Sequence, residues 1–319
     1  MTELAILIVA WMCGTCCATP DPTATSVNPP QPGPPAFKIV VDRHEASMLE
    51  GDRTILRYRY IDVPFKPYVR ELYTPNGLDV LRDAPEDHKH HHGLMFALAV
   101  DGVSFWAEEP GCGRQIHANT GVTVEAGRAT WSDSTIWKIA DDAVLRESRD
   151  IEVPRLTDNQ QVTLLTWRTT LTPLRDLTLG GEHYYGLGMR FPAEMDRVGT
   201  FRNSSGQPGE IFRGEERLVP ARWCAYSAKI DGKLVTVAMF DHPNNPRHPA
   251  TWFTMATPFA YMSATLNLHI NSMPLQKDQT LELCYGVAAW DGTTDDAQIE
   301  EMYKLWLDVV NPMQERIEK

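Results

Sequence analysis

From residue 53 onward the chain alternates between short segments rich in β-branched and aromatic residues and pairs of residues that favour turns. Asp101-Gly102, Gly180-Gly181 and Asp231-Gly232 are such pairs, and the last predicts a β-hairpin because it joins two apolar segments directly. Short strands with frequent turns are typical of antiparallel sandwiches. We therefore predict an all-β fold, a large antiparallel β-sandwich, with strands over residues 53–60, 94–100, 122–131, 161–171, 222–230, 233–240, 260–268 and 280–289.

A single helix is predicted at the C-terminal end of the chain. Thr293 can cap it, with Asp296 three residues further on, and the pair Asn311-Pro312 is predicted to end it. The apolar residues between these points recur at helical spacing: Ile299, Met302, Trp306 and Val309. This pattern predicts a helix that packs one face against the sandwich.

The first 35 residues differ in composition from the rest of the chain. Residues 4–12 are apolar and small residues follow them, so residues 1–18 are predicted to be a signal peptide of an exported protein, periplasmic or secreted. Cleavage near Ala18 and lipid attachment at Cys16 or Cys17 both stay open. Residues 19–35 are rich in proline and predict an extended linker, which leaves residues 36–319 as the folded domain.

The net charge of the protein, −12, limits its partners. Nucleic acids and anionic membranes carry the same sign of charge, so we expect neither as a partner. Beyond the leader, no segment of the sequence is apolar enough to cross a bilayer. The expected partner is a small-molecule or oligosaccharide substrate, and the oligomeric state stays open.

Four histidines, His88, His90, His91 and His92, lie directly before the apolar segment 94–100. A loop therefore enters a buried strand here, and loops held by a sheet often carry binding and catalytic residues. On an extended backbone His88, His90 and His92 would share one face and His91 would lie on the other. The alternative is a solvated patch with incidental metal affinity, since imidazole serves proton transfer, metal ligation and hydrogen bonding alike.

The segment 241–252 is the second candidate. Its three prolines fix the path of a loop that carries polar and aromatic side chains suited to binding: Asp241, His242, Asn244, His248 and Trp252. The alternative is a proline-rich turn in which the Asp and Asn side chains bond their own backbone.

Two further segments combine aromatic, basic and acidic residues. Residues 180–191 contain Glu182, His183 and Arg190 among glycines, which would let a ligand approach the backbone. Trp106, with Arg114 and His117 a few residues later, could stack on a sugar ring. The alternatives are a glycine-marked bulge with a structural ion pair for the first segment and a core tryptophan for the second.

These motifs resemble those of the PmoA-like family, often labelled methane oxygenase PmoA. The matching segments are Lys66-Pro67-Tyr68 and residues 87–94, 102–106, 223–226 and 241–252. Three residues depart from the family pattern: Lys66 and His92 replace arginines and Lys89 replaces a proline. The resemblance covers most of the domain. It implies an exported bacterial protein with a galactose-mutarotase-like β-sandwich (a supersandwich) in a carbohydrate context. A methane monooxygenase subunit is a bundle of transmembrane helices, and this chain lacks the segments for one.

Three functions are consistent with these residues, and the first is a carbohydrate-active enzyme. Epimerisation, lyase and hydrolysis steps on a sugar each need an acid and a base. Both would come from one set of side chains, in which Glu182 orients or replaces the base: His88, His90, His91, Glu182, His183 and His242. Trp106 and Trp252 would stack on the sugar ring. The full set of substrate-binding residues would be Trp106, Arg114, His117, Arg190, Asp241, Asn244, His248 and Trp252.

The second function is that of a metal enzyme, as the oxygenase label suggests. Two alternate histidines, His88 with His90 or His90 with His92, would bind copper or zinc together with His183, His242 or Asp241. The first function, by contrast, needs no cofactor. The third function is that of a non-catalytic module that binds glycans through its tryptophans.

Overall fold

The structure, a computed structural model, describes residues 36–63, 65–156 and 161–317, with only the backbone of residues 312–317. The predicted signal peptide and linker, residues 1–35, lie outside the described residues. Nearly all regular structure in the described part is antiparallel β-strand, followed by one C-terminal helix. The predicted all-β sandwich with a C-terminal helix is therefore confirmed.

The first half of the domain contains eleven of the described strands: β1 (Phe37–Val41), β2 (Glu45–Glu50), β3 (Arg53–Arg59), β4 (Tyr68–Leu72), β5 (Leu94–Ala97), β6 (Ala99–Val100), β7 (Val103–Ser104), β8 (Arg114–Glu125), β9 (Arg128–Ile139), β10 (Asp142–Pro154) and β11 (Val162–Pro173). The second half contains the others: β12 (Leu177–Gly180), β13 (Gly186–Arg190), β14 (Thr200–Asn203), β15 (Glu210–Arg213), β16 (Glu216–Pro220), β17 (Trp223–Ile230), β18 (Lys233–Asp241), β19 (Thr251–Met255), β20 (Tyr261–Thr265), β21 (Met273–Leu275) and β22 (Leu281–Asp291). A 3₁₀ turn at Ala193–Met195 and the helix α1 (Asp296–Ile317) complete the regular structure.

The strands form three sheets. A ten-stranded sheet has the order β1-β2-β3-β4-β5-β13-β20-β19-β16-β15, and an eight-stranded sheet has the order β14-β17-β18-β22-β11-β10-β9-β8. A small sheet of four strands has the order β21-β12-β6-β7. Asp231-Gly232 joins β17 to β18 as the predicted hairpin.

Aromatic side chains fill the space between the two large sheets. The ring centroids of Phe96 on β5 and Trp137 on β9 lie 6.2 Å apart, and those of Tyr58 on β3 and Trp131 on β9 lie 6.1 Å apart. All four side chains are buried. The ten-stranded and eight-stranded sheets therefore pack face to face around one apolar core.

The strand register shows which side chains of the ten-stranded sheet face this core. Leu187, Ala264 and Trp252 lie in line with Phe96 across β13, β20 and β19. Because successive side chains on a strand point to opposite faces, the residues next to them, such as Phe253, face away from the core. The candidate site lies on that outer face.

Helix α1 covers the outer face of the eight-stranded sheet, where Met302, Trp306 and Val310 pack on apolar residues of its strands. Two details differ from prediction. Asp295 and Gln298 bond each other's backbone N–H groups at 2.8 and 3.0 Å, so Asp295 rather than Thr293 caps the helix. The backbone also stays helical through Asn311-Pro312. Among the described residues, no helix has the length and apolar character that a membrane span needs.

Two predicted strands are interrupted in the structure. Residues 122–131 contain the turn between β8 and β9, so the single predicted strand is a hairpin. Residues 94–100 break at Leu98, because β5 belongs to the ten-stranded sheet and β6 to the four-stranded sheet. The histidine run therefore enters the ten-stranded sheet through β5.

Candidate functional site

The histidine run forms a closed loop, residues 83–92, between β4 and β5. An isolated β-bridge between Asp83 and His92 closes it, and the Ala84 N–H donates to the His91 carbonyl at 2.9 Å. Within the loop the His91 N–H donates to the His88 carbonyl at 2.9 Å. The predicted extended backbone, with His88, His90 and His92 on one face, is therefore wrong. Instead, His88, His90 and His91 line one cavity.

His92 turns into the protein and anchors the loop. Its Nδ1 lies 2.7 Å from Asp83 and its Nε2 lies 2.9 Å from Glu108, which also accepts a 2.6 Å hydrogen bond from Lys66. The ring of His92 stacks on Tyr68 at 4.3 Å. Burial disfavours a charged imidazole, but the hydrogen bonds to Asp83 and Glu108 outweigh it and raise the pKa of His92. Lys66 and His92, which both depart from the PmoA-like family pattern, thus contact the same Glu108 carboxylate.

The three cavity histidines contact one another. His88 stacks on His91 with ring centroids 4.7 Å apart, and His90 meets His91 edge-on at 4.6 Å. Burial, followed by nearby positive charges, lowers the pKa of both His90 and His91. Both imidazoles are therefore neutral at pH 7, and each has one N–H donor and one nitrogen that can accept a hydrogen bond.

Arg190 of β13 lies beneath this cluster and is almost fully buried. Its Nη2 donates to Asp87 at 3.2 Å, its Nη1 lies 3.5 Å from His91 Nδ1, and its guanidinium lies 3.6 Å from the centre of the Phe259 ring. Asp87 in turn lies 3.1 Å from His88 Nδ1. Arg190 therefore orients the imidazoles from below and has no open path to a ligand.

The cavity has a volume of about 260 Å³. Its floor is apolar and consists of Phe253, Met255, Phe259 and Tyr261. Phe253 and Met255 lie on β19 one position away from core-facing side chains, which explains why they point outward. Polar groups therefore surround an aromatic floor, an arrangement suited to a small ligand with apolar faces and polar edges.

The wall opposite the histidine loop is the hairpin β15–β16, which contributes Arg213 and Glu216. Glu216 accepts a 2.7 Å hydrogen bond from Arg213 and lies 3.2 Å from His183 Nε2. Burial lowers the pKa of His183, partly offset by Glu216. Glu182, the predicted partner of the base, lies on an exposed turn and does not line the cavity. Glu216 is the carboxylate that occupies this place.

The two tryptophans predicted to stack on a substrate are buried. Trp106 is 1% exposed and stacks on Tyr185 with centroids 5.2 Å apart, behind the cavity floor. Trp252 is fully buried in the core and donates from Nε1 to the Ala221 carbonyl at 2.7 Å. A ligand contacts neither in this geometry, so the stacking prediction is wrong for both. Phe253, the next residue along β19, lines the cavity instead.

Residues 45–304 match the family of unknown function DUF6807. The chain belongs to this family. Its description carries no methane oxygenase label, so that part of the predicted resemblance is not supported by the match. No curated protein matches the chain.

Several solved structures are similar to this DUF6807 member. An α-galactosidase from Lactobacillus brevis shares 8% identity at a TM-score of 0.43, over 80% of this chain and 39% of that chain. The galactosidase domain of an α-galactosidase-sucrose kinase shares 10% identity at a TM-score of 0.40, over 81% of this chain and 41% of that chain. A galactose mutarotase related enzyme from Lactobacillus acidophilus shares 6% identity at a TM-score of 0.36, over 82% of this chain and 98% of that chain. The DUF6807 chain thus spans about two fifths of the α-galactosidase chains.

The loop between β18 and β19 lies apart from the histidine cavity. His242 and Asn244 line a different cavity, of about 240 Å³, on the outer face of the eight-stranded sheet. Both ring nitrogens of His242 are engaged, because Nδ1 accepts from the Asn244 N–H at 3.1 Å and Nε2 lies 3.0 Å from Asn311. His242 is therefore a structural residue here, and the structure does not bring it together with the histidine run.

Asp241 and His248 hold the same loop in shape. The buried Asp241 carboxylate lies 2.6 Å from His248 Nδ1 and accepts bonds from Asn245 and from the Ala250 N–H, each at 2.7 Å. This agrees with the alternative interpretation of the segment, a turn that satisfies its own polar groups. Neither residue lines the histidine cavity.

Arg114 and His117 belong to a third cavity, of about 360 Å³, beside residues 60–63 and Phe65. His117 Nδ1 lies 2.6 Å from the buried Asp133. Of the fourteen predicted site residues, the histidine cavity is lined by His88, His90 and His91, while His183 and Arg190 support its walls.

The predicted metal centre has no ligand set in the described ranges. Within residues 36–63, 65–156 and 161–317, no three His, Cys, Asp or Glu side chains are grouped to hold one ion. His92 has a carboxylate on each ring nitrogen, and His242 has both nitrogens bonded. His92 and His242 therefore have no ring nitrogen left to bind an ion in this geometry.

Proposed function

We propose that the histidine cavity binds a sugar and carries out acid–base chemistry on it. The observation that carries the proposal is the convergence of three imidazoles, Glu216 and Arg213 around an aromatic floor in a space of about 260 Å³. A sugar ring presents apolar C–H faces and hydroxyl edges. The aromatic floor suits the apolar C–H faces of the sugar, and the polar walls suit its hydroxyl edges.

The hydrogen bonds of the cluster suggest a role for each imidazole. His88 Nδ1 faces Asp87, so its Nδ1–H donates there and Nε2 is directed to the ligand as an acceptor. His91 Nδ1 faces the Arg190 guanidinium, so its proton lies on Nε2, where it can donate to a ligand hydroxyl. We assign His88, assisted by His90, as the base and His91 as the donor on this side of the cavity.

Glu216 supplies the second titratable group from the opposite wall. It lies 2.7 Å from Arg213, and its carboxyl oxygens can accept a hydrogen bond from a ligand hydroxyl. Two groups on opposite sides of a ring suit both epimerisation and elimination. In epimerisation a base removes a proton from one face of a carbon and an acid returns one to the opposite face of the same carbon. In elimination the base removes the proton, the C–H electrons form the double bond, and the acid protonates the oxygen that leaves as its bond to carbon breaks. His183 positions Glu216 and does not itself act on the ligand.

The test is turnover on a panel of aldoses, uronates and their glycosides, followed by proton NMR. Replacing His88 by alanine, or Glu216 by glutamine, should lower kcat/KM about 10²- to 10⁴-fold, the usual contribution of a general acid or base. His242→Gln is the matched control, because His242 lines a different cavity. Rates unchanged in both cavity variants, or lowered equally in the control, would contradict the proposal. Sugar binding without turnover would instead indicate a glycan-binding module.

The predicted export is part of the proposal as well. It depends on residues 1–35, which lie outside the described residues. Cell fractionation of the native host, with a Cys16→Ala/Cys17→Ala double variant as control, separates a cleaved soluble form from a lipid-anchored one.

A further inference from the structure

A second cavity lies next to the histidine cavity on the same face of the ten-stranded sheet. It has a volume of about 620 Å³, and its lining includes Leu218 of β16 and Thr251 of β19. Glu216 on β16 and Phe253 on β19 line the histidine cavity. Residues two apart on a strand share a face and lie roughly 7 Å apart. Both cavities therefore open on one side of the same two strands.

The pairing of the strands supports this alignment. Leu218 pairs with Phe253, and Pro220 pairs with Thr251. Along β19 the outward side chains are Thr251 in the second cavity, then Phe253 and Met255 in the histidine cavity. The cavities thus follow one another along a single pair of strands.

A cluster of rings lies next to residues of both cavities, because Phe212 precedes Arg213 of the histidine cavity and His269 precedes Ile270 of the second cavity. Phe212 stacks on His183 with centroids 3.8 Å apart, and His269 lies 6.1 Å from each of them. Phe212 is 46% exposed although it is a large apolar residue, and Ile270, beside His269, is 67% exposed and lines the second cavity. A ligand that spans both cavities would cover these two apolar side chains and remove them from water.

The chemistry of the second cavity resembles that of the first. Amide, hydroxyl and carboxylate groups share its lining with apolar side chains: Gln207, Glu210, Leu218, Thr251, Asn267 and Ile270. Such a mixture again suits a ring with polar edges and apolar faces.

We propose that the two cavities are subsites of one groove and that the ligand is an oligosaccharide, whose chain continues from the histidine cavity across Phe212 into the second cavity. This rests on the proposed function of the histidine cavity. The reacting sugar unit lies among the histidines, and the next units lie on Phe212 and against Ile270.

Calorimetric titration tests this directly on the full chain. The probes are glucose, galactose, mannose, xylose and glucuronate, and then the unbranched oligosaccharides of two to four units built from the sugar that binds best. We expect affinity to rise at least tenfold from the monosaccharide to the trisaccharide. Phe212→Ala and Ile270→Ala should each remove much of this gain, about tenfold for the phenylalanine, and leave the affinity for the monosaccharide unchanged.

Leu234→Ala is the control, because Leu234 is a similarly exposed apolar residue on β18 of the other large sheet. Ile270 is exposed, so its substitution tests the groove even if loss of Phe212 disturbs the hairpin. Monosaccharide binding without any gain from chain length overturns the groove and leaves the proposed function intact. Failure of every sugar to bind overturns both.

Discussion

Asp79 provides a quantitative test of the scaffold that holds the histidine loop. It follows the turn after β4, and its Oδ1 accepts the N–H groups of both Leu72 and Leu81 at 3.1 Å. Burial, assisted by the nearby negative charge of Glu71, raises the pKa of Asp79 to about 7. The folded protein therefore holds a proton here that the unfolded chain releases near pH 4.

The sign and size of the effect on stability follow from this pKa. Between about pH 4 and pH 7 the folded state binds the extra proton, so its stability falls as the pH rises through this window. A shift of about three units at about 1.4 kcal/mol each sets an upper bound of about 4 kcal/mol. Because the Asp79 side chain is only partly buried, we expect about half of that, roughly 2 kcal/mol, after solvent screening.

Asp79→Asn removes the charge and keeps an oxygen that can accept both N–H groups. The variant should therefore gain about 2 kcal/mol over the wild type at pH 8 and little or nothing at pH 4.5. Urea unfolding followed by tryptophan fluorescence at pH 4.5, 6, 7 and 8 measures the difference. Asp141→Asn, at an exposed position, is the control. A gain that is the same at all four pH values, or a variant less stable at pH 8, would refute the reasoning.

Two further substitutions test the loop anchor and the cavity floor. His92→Gln should destabilise the protein most at low pH. The raised pKa of His92 contributes stability that is fully present below about pH 6.5 and is lost as the pH rises through the pKa of the folded state. Urea midpoints at pH 5.5 and 8.5 should therefore show a smaller difference between variant and wild type at the higher pH. Equal losses at both values would contradict an ionic anchor. Tyr261→Phe should stabilise the ligand-free protein by about 1 kcal/mol, because the buried Tyr261 hydroxyl has no hydrogen-bond partner among the described residues. The same variant should bind sugar more weakly in calorimetry. A destabilised Tyr261→Phe would indicate that the hydroxyl is already satisfied.

The sequence predicted the fold class well because the relevant signals are local. Segments rich in β-branched residues and glycine-containing turns determine strands wherever they occur, and the Asp231-Gly232 hairpin needs nothing else. The histidine run was also found from the sequence. Its geometry was not, because the Asp83–His92 bridge and the Glu108 and Lys66 contacts that bend the loop come from elsewhere in the chain.

The site residues that were predicted wrongly are those whose position depends on which sheet a strand joins. β18 lies in the eight-stranded sheet and β19 in the ten-stranded sheet, so the loop between them, with His242 and His248, crosses from one to the other. The spacing of residues along the chain does not show that the loop crosses between the two sheets. In the same way Trp252 and Phe253 are both apolar residues of β19, and only the cross-strand register shows that the tryptophan faces the core. Glu216 was missed because nothing local distinguishes it from its neighbour Glu215.

The distribution of unpaired polar atoms gives an independent reason to place function at the histidine cavity. Three buried donors near its floor have no hydrogen-bond partner within the described protein: Arg190 Nε, Tyr261 Oη and Trp106 Nε1. A buried polar group without a partner costs about 1–3 kcal/mol, so a fold rarely keeps several together for stability alone. All three contact the aromatic and imidazole rings of the cavity. Tyr261 lines the cavity, whereas Arg190 and Trp106 lie behind it, so the unsatisfied groups form the layer directly beneath the cavity.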